Sequence, residues 1–273
     1  MGEIVLSAGV RQNLLQLQKT AELITATQTK LATGKRVNTA LDNPINYFTA
    51  QGLTNRAGDL ANLLDSMSTG VNTIQAANNG ITAITKLVQS AQALASQAQQ
   101  TSDTTIRAGL ATQFDAIRAQ IDQLAQDAGF NGINLLDSGT SANLTVTLNE
   151  NGSSSVTINA VDFSATGLTI GASANAWATN GDIATATGEL TAALTTLRSQ
   201  AQAFGSNLST VQVRQDFTKA MINTLQTGAD SLTLADSNEE GANLLALQTR
   251  QQLSTTALSL ASQASQAVLR LFQ

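Results

Sequence analysis

Asp236, Glu239 and Glu240 form the only tight carboxylate cluster in the chain, and so the only place whose residue types and spacing could support acid–base or metal chemistry. Such chemistry needs partners that this chain does not have. Cysteine and histidine are both absent, which removes thiol nucleophiles, disulfides, Cys/His metal sites and the usual general base. No G-x-x-x-x-G-K-[ST], H-E-x-x-H or EF-hand loop occurs. Asp236 and Glu239, three residues apart, instead match a capping box with Asp as the cap. The cluster is expected to start a helix, and no catalytic, cofactor-binding or metal-binding residue and no cofactor is expected. The reading is of a protein that is not an enzyme.

The helix that Asp236 would open carries Leu253, Ala257, Leu260, Ala264, Ala267 and Leu271 in a 4-3-4-3-4 rhythm. At the other end of the chain, Val10, Leu14, Leu17, Ala21, Ile24, Gln28 and Leu31 keep the same spacing. A stripe of this kind faces one partner along its whole length. The spacing predicts that the two terminal helices pack on each other through these stripes. Their outer faces would be left for neighbouring copies, as in a subunit of an assembly.

The first helix is expected to stop at Gly34, where glycine suits a left-handed C′ position and Lys35 and Arg36 suit the helix C-terminus. Asn43 reads as the N-cap of a second helix, with Pro44, the only proline, at its first position. Leu60, Leu64, Met67, Val71, Ile74, Asn78, Ile81 and Val88 carry its seam to Leu94 and Ala98. After a break at Gln99–Thr104, Ile106, Leu110, Phe114, Ile117, Ile121 and Leu124 rebuild the pattern. That helix is expected to stop at Gly129-Phe130-Asn131-Gly132.

Periodicity then changes to two. Leu144, Val146 and Leu148 alternate with polar residues, as do Val156 and Ile158, and Asn151-Gly152 between them predicts a type I′ hairpin. The stretch to Ala176 reads as a small β-rich surface element. Replacing about 141–173 by a short turn is expected to leave the helices able to assemble. A long seam follows from Leu190 to Leu232, with polar Gln215 and Thr218, like Asn78, expected to fix register. The fold class is therefore mainly α, an elongated rod of long heptad helices folded back on itself. Its segments are 1–42 and 234–273 (paired terminal helices), 43–138 and 177–233 (inner helical bundle), and 139–176 (β-rich outer element).

Composition agrees with an assembly subunit. Charged residues are 12 % of the chain, about half the usual ~25 %. Aromatics are only 3 %, although they bury the most area per residue. A net charge of −5 with scattered Lys and Arg gives no footprint for nucleic acid. No apolar run reaches the ~20 residues that span a bilayer, so no membrane partner is expected. The start Met1-Gly2-Glu3-Ile4-Val5 lacks the n-region and h-region of a secretory signal peptide. Asn143, Asn151 and Asn207 begin N-x-[ST] triplets, at a frequency expected by chance in this composition.

Three blocks, in order, resemble bacterial flagellin. Leu31-Ala32-Thr33-Gly34-Lys35-Arg36-Val37-Asn38-Thr39-Ala40-Leu41-Asp42-Asn43 is similar to the family's L-S-S-G-x-R-I-N-S-A-x-D-D. Phe130-Asn131-Gly132-Ile133-Asn134-Leu135-Leu136 is similar to its F-N-G-x-x-L-L. Gln251-Gln252-Leu253 through Ala261-Ser262-Gln263-Ala264 to Val268-Leu269-Arg270-Leu271-Phe272 is similar to its C-terminal helix. The resemblance covers about the first 138 and last 85 residues. It is to a short, alphaproteobacterial-like flagellin with a minimal outer domain.

The resemblance implies a structural subunit that polymerises with many copies of itself into the bacterial flagellar filament for swimming motility. It implies type III export without a cleaved signal peptide and an extracellular location. Further implied partners are an export chaperone on about Ala235–Gln273, and the junction and cap proteins of the flagellum. With only about Ser138–Ala176 available as an outer region, a thin, smooth filament is expected. Enteric flagellins have arginines and a glutamate before an L-A pair on their receptor-recognition helix; here Ser90, Gln92 and Ala93 precede Leu94-Ala95. That departure implies weak recognition by the innate flagellin receptor. The alternatives are a hook–filament junction protein, whose D-D-P is similar to Asn43-Pro44-Ile45, and, more distantly, another self-assembling coiled-coil scaffold. The terminal helices, poor in aromatics and rich in Ala, are expected to be largely disordered until neighbours cover them.

Overall fold

Gly34 lies at φ +68 and ends the first helix where its sequence predicts. In this computed structural model, which describes residues 8–139 and 143–271, α1 is Ala8–Thr33, α2 Pro44–Gln99 and α3 Thr104–Asp127. A hairpin of β1 (Leu144–Thr147) and β2 (Ser155–Ile158) comes next, then α4 (Asn180–Thr233) and α5 (Ser237–Leu271). The side chains of Ala8, Ser265 and 268–271, and residue Phe272, fall outside the described set. Contacts divide the chain into two units: residues up to Asn55 with those from Thr224 on, and Arg56–Asn223. The chain is mainly α.

Side chains set the helix starts. Asn43 Oδ1 accepts the Asn46 N–H at 3.0 Å ahead of Pro44, and Asp103 Oδ1 accepts those of Thr105 (2.8 Å) and Ile106 (3.3 Å). Helix α4 begins ten residues before the first leucine of its predicted seam. Its signal is a reciprocal capping box: Asp182 N–H donates to Thr179 Oγ1 (3.3 Å), and Thr179 N–H donates to the Asp182 carboxylate (3.1 Å). Asn180-Gly181 inside that box reads as a turn, which hides the start. Threonine is common inside these helices because its hydroxyl bonds the carbonyl four residues back, as in Thr73 to Thr69 O at 3.0 Å.

In the larger unit, α2 turns Met67, Ile74, Ala77, Ile81, Ile84, Val88, Ala91, Ala95 and Ala98 into the core. Helix α3 adds Leu110, Phe114 and Ile121; α4 adds Ile183, Leu190, Leu197, Phe204 and Val211. The spacing of 3 and 4 is that of interlocking heptad helices. Thr218 is buried on the α4 seam, and Gln215 Nε2 donates to Ser68 Oγ of α2 at 3.1 Å. Asn78 is half-buried on α2. Arg107 is a buried cation with carbonyls for partners: it donates to Ala98 O (3.1 Å), Thr101 O (2.7 Å), Ala178 O (3.2 Å) and Asn180 Oδ1. It thereby joins the end of α2 to the start of α4, favoured by the partial negative charge at a helix C-terminus. Trp177 packs on Phe114 with ring centroids 5.0 Å apart, at the end of a left-handed turn in which Asn175, Ala176 and Trp177 have φ of 48, 48 and 58.

The hairpin departs from its sequence reading in two ways. Its strands pair Leu144 with Ile158 and Val146 with Val156, and Leu148 N–H continues the ladder to Ser154 O (2.8 Å). A two-residue turn at Asn151-Gly152 would shift this register by one and set Val146 opposite Thr157. Burial of the apolar face outweighs the turn preference. The loop instead contains a four-residue turn closed by Gly152 N–H to Asn149 O (3.2 Å). A two-residue turn does form at Asn131-Gly132. Asn131 and Gly132 have φ of 50 and 80, and Phe130 and Ile133 exchange both backbone bonds at 2.9 and 3.0 Å.

Second, the insert is not a surface element. Leu144, Val146, Leu148, Ile158, Phe163, Leu168 and Ile170 are buried in the same core as α2 and α3. Carboxylates of α3 hold the following segment, with Asp115 accepting Ser173 N–H (3.0 Å) and Asp122 accepting Ala165 N–H (2.7 Å). Alternation between Ser, Thr, Asn and Gly conceals how much apolar surface the segment contributes.

Candidate functional site

The terminal unit is built on α1 packed against α5. At the base of the pair, Lys35 and Leu234 form an antiparallel bridge, with Arg36 N–H to Thr233 O at 2.8 Å and Ala235 N–H to Gly34 O at 3.0 Å. The Arg36 guanidinium also donates to Ser231 O at 3.2 Å, near the C-terminus of α4. Asp236 then caps α5, its Oδ1 accepting Asn238 N–H (2.8 Å) and Glu239 N–H (3.3 Å). Glu240 takes the third carboxylate elsewhere, to Lys30 Nζ of α1 at 2.9 Å. The acidic cluster is thus a cap and a cross-helix ion pair. Among the described residues, no group of three acidic or other ligating side chains could hold a metal.

The helices meet along lines that differ from the apolar stripes. On α1 the inward line contains buried Thr20 and Thr27 between half-buried Leu17, Ile24 and Leu31. Val10 is half-buried, whereas Leu14, Ala21 and Gln28 are exposed. On α5 the half-buried line is Leu244, Leu247, Gln251, Ser254, Leu258 and Ala261. Leu253 (66 % exposed), Ala257, Leu260 (61 % exposed) and Ala264 lie one residue round the helix, facing outward, and Leu271's side chain lies outside the described residues. The expectation that this stripe faces α1 is therefore corrected. Helix α5 carries two leucine lines separated by about 100°. The inner one includes Gln251 and Ser254, which a count of apolar residues passes over.

Leu15 and Leu23 of α1 and Leu245 of α5 are also exposed, as are Leu41 just before α2 and Ile45 and Phe48 at its start. Several large apolar side chains are thus left in water within one unit, the kind of exposure found where protein surfaces meet.

Comparison with known proteins identifies the kind of chain that carries this surface. Residues 8–141 match the model of the bacterial flagellin N-terminal helical region and residues 187–272 that of the C-terminal helical region. Flagellin FljM of Caulobacter vibrioides is 31 % identical over 275 residues, covering 100 % of this chain and 99 % of that protein. The chain belongs to the bacterial flagellin family. Flagellin of Brucella melitensis is 26 % identical, with all of both chains covered. The crystal structure of Bacillus cereus flagellin overlaps 57 % of this chain and 88 % of its own, with a TM-score of 0.49 at 22 % identity. As a flagellin, the chain is a structural subunit of the flagellar filament and not an enzyme. No described helix is long and apolar enough to cross a membrane.

In this flagellin, Ser90, Gln92 and Ala93, expected from the sequence to depart from the enteric receptor motif, lie on α2. Ser90 and Ala93 are exposed, and the Ser90 hydroxyl donates to Lys86 O at 3.0 Å. Gln92 Nε2 reaches Thr191 Oγ1 of α4 at 3.4 Å. None of the three offers a cation.

Proposed function

We propose that the α1–α5 pair is the polymerising part of this flagellin, and that the outward line Leu253, Ala257, Leu260, Ala264 docks on neighbouring subunits. The exposure of Leu253 and Leu260 carries this reading, since two leucines left in water at heptad spacing gain free energy only when another chain covers them. Of the α1 stripe, Leu14 is exposed for such docking, whereas half-buried Val10, Leu17, Ile24 and Leu31 hold the pair together. On this reading 1–42 with 234–273 forms the inner domain of the filament. Segments 43–138 and 177–233 form the helical-bundle domain, with 139–176 as its β-rich element. Leu271 belongs to the same stripe by spacing.

The relatives named above are flagellins, which leaves the junction-protein alternative without support. Family membership supports export through the flagellar type III apparatus without a cleaved signal peptide. It also supports an export chaperone on about 235–273, and contacts with the junction and cap proteins at the ends of the filament. Ser90, Gln92 and Ala93 lack the bidentate fork that arginine brings to a desolvated interface, so activation of the innate flagellin receptor should be weak. Negative-stain imaging of the purified full chain tests the reading: long helical filaments are expected, and short rings of fixed size would favour a junction protein.

A further inference from the structure

Four Asn-Gly pairs occur in the chain, at 79–80, 131–132, 151–152 and 180–181, and their surroundings differ. The geometry points to Asn151 as a site of spontaneous deamidation, in which the folded loop itself assists the reaction. Both N–H and O–H of Ser153 donate to Asn151 Oδ1, at 3.1 and 2.7 Å. Asn149 Nδ2 donates to Ser153 Oγ at 2.7 Å and polarises that hydroxyl further. The side-chain amide carbonyl of Asn151 therefore sits under two convergent donors, as an oxyanion does in an acyl-transfer site.

The reaction follows from this arrangement. The Gly152 backbone nitrogen, losing its proton to solvent base, attacks Asn151 Cγ, and the new N–Cγ bond places negative charge on Oδ1 under the two Ser153 donors. The Cγ–Nδ2 bond then breaks, Nδ2 takes a proton from water, and ammonia leaves. Water opens the resulting five-membered imide at either carbonyl, giving aspartate or isoaspartate. The net change is one water consumed and one ammonia released. Gly152 is exposed, at φ +70, with open space around its Cα. Its N–H is held only by the 3.2 Å bond to Asn149 O, the one backbone bond that the attack has to release.

The other three pairs are held more firmly. Asn79-Gly80 lies inside α2, and Asn180-Gly181 is the opening turn of α4, with the Asn180 side-chain oxygen tied to Arg107; in both the helical backbone keeps the glycine nitrogen away from Cγ. Asn131-Gly132 is clamped by the paired bonds of Phe130 and Ile133. Deamidation at 151 adds a negative charge next to Glu150, whose carboxylate pairs with Arg56 at 2.5 Å.

The test is peptide mapping by mass spectrometry of the full chain incubated at mildly alkaline pH, native and in denaturant. In the native protein, the one-dalton gain and isoaspartate should accumulate at Asn151 at least about three- to tenfold faster than at the other three sites. Ser153→Ala should slow it by a similar factor, the rate equivalent of one net hydrogen bond. In denaturant both differences should shrink. Equal native rates at the four sites, or an unchanged rate in Ser153→Ala with circular dichroism as in wild type, would overturn the proposal.

Discussion

Lys30 and Glu240, 210 residues apart in sequence, meet at 2.9 Å across the terminal helix pair, and the Glu240 side chain is only 12 % exposed. Removing Lys30 alone leaves that carboxylate mostly buried without its cation. Lys30→Ala should weaken the pair by about 1–3 kcal/mol, and Lys30→Ala with Glu240→Leu should recover part of the loss. Hydrogen exchange of α1 amides in the full chain reads the effect. Equal exchange in wild type and Lys30→Ala would show that the ion pair contributes nothing.

Gly80 is needed where α2 meets the segment after α3. A Cβ there would lie 2.6 Å from Leu136 Cδ1 and 2.7 Å from Ala128 Cβ, and the second is fixed to the backbone. Gly80→Ala should destabilise the chain by about 1–3 kcal/mol. Gly109, in α3 with nothing within 4 Å of a built Cβ, should behave oppositely: Gly109→Ala should stabilise by up to about 1 kcal/mol. Thermal unfolding of the two variants checks both signs.

Replacement of 141–173 by a short turn should now damage the protein rather than spare it. The change removes Val146, Ile158, Phe163 and Leu168 from the core and leaves α2 open at Gly70, whose built Cβ would lie 2.6 Å from Val146 Cγ2. The variant should unfold at clearly lower temperature than wild type. An unchanged midpoint would restore the surface-element reading.

Acid should loosen two helix junctions and the hairpin loop together. Backbone N–H groups of Thr39 and Asn38 hold the Asp42 carboxyl below its ordinary value. The Thr179 hydroxyl and N–H do the same for Asp182, and Glu150's own N–H with Arg56 for Glu150. All three are lower folded than unfolded, so their stabilisation is present above the ordinary carboxylate range and is lost as pH falls through the lowered values. Exchange of amides 38–42 should rise on acidification in wild type. In Asp42→Asn it should already be raised at neutral pH and respond less.

Helix ends were legible because their signals are local: Asn43-Pro44, Gly34 and Asp236 each act within one turn. The long seams of α2 and α4 were legible because apolar residues recur in register. Partner choice was not. Leu253 and Leu258 are equally apolar, and only the placement of Thr20, Thr27, Gln251 and Ser254 between the helices shows which line faces inward. The turn at Asn151-Gly152 was misjudged for a similar reason, since local preference there yields to the pairing of Val146 with Val156. Arg107 carried no signal at all, because its partners are mostly backbone carbonyls, from the end of α2 and the approach to α4.

The terminal pair is thin. Its only residues below one-tenth exposure on α1 and α5 are Thr20, Thr27 and Glu240 among those described, so the expected disorder becomes a helix pair that opens at low cost until neighbours cover it. Limited proteolysis of dilute monomer should trim both ends, to a core from near residue 40 to near 235 that does not polymerise.

The most direct measurement is seeded polymerisation of a Leu253→Ser, Leu260→Ser double variant beside wild type. Both leucines are exposed in the single chain, so circular dichroism and thermal unfolding of the monomer should be nearly unchanged. No filament should elongate from the seeds. Filaments growing at the wild-type rate would contradict this.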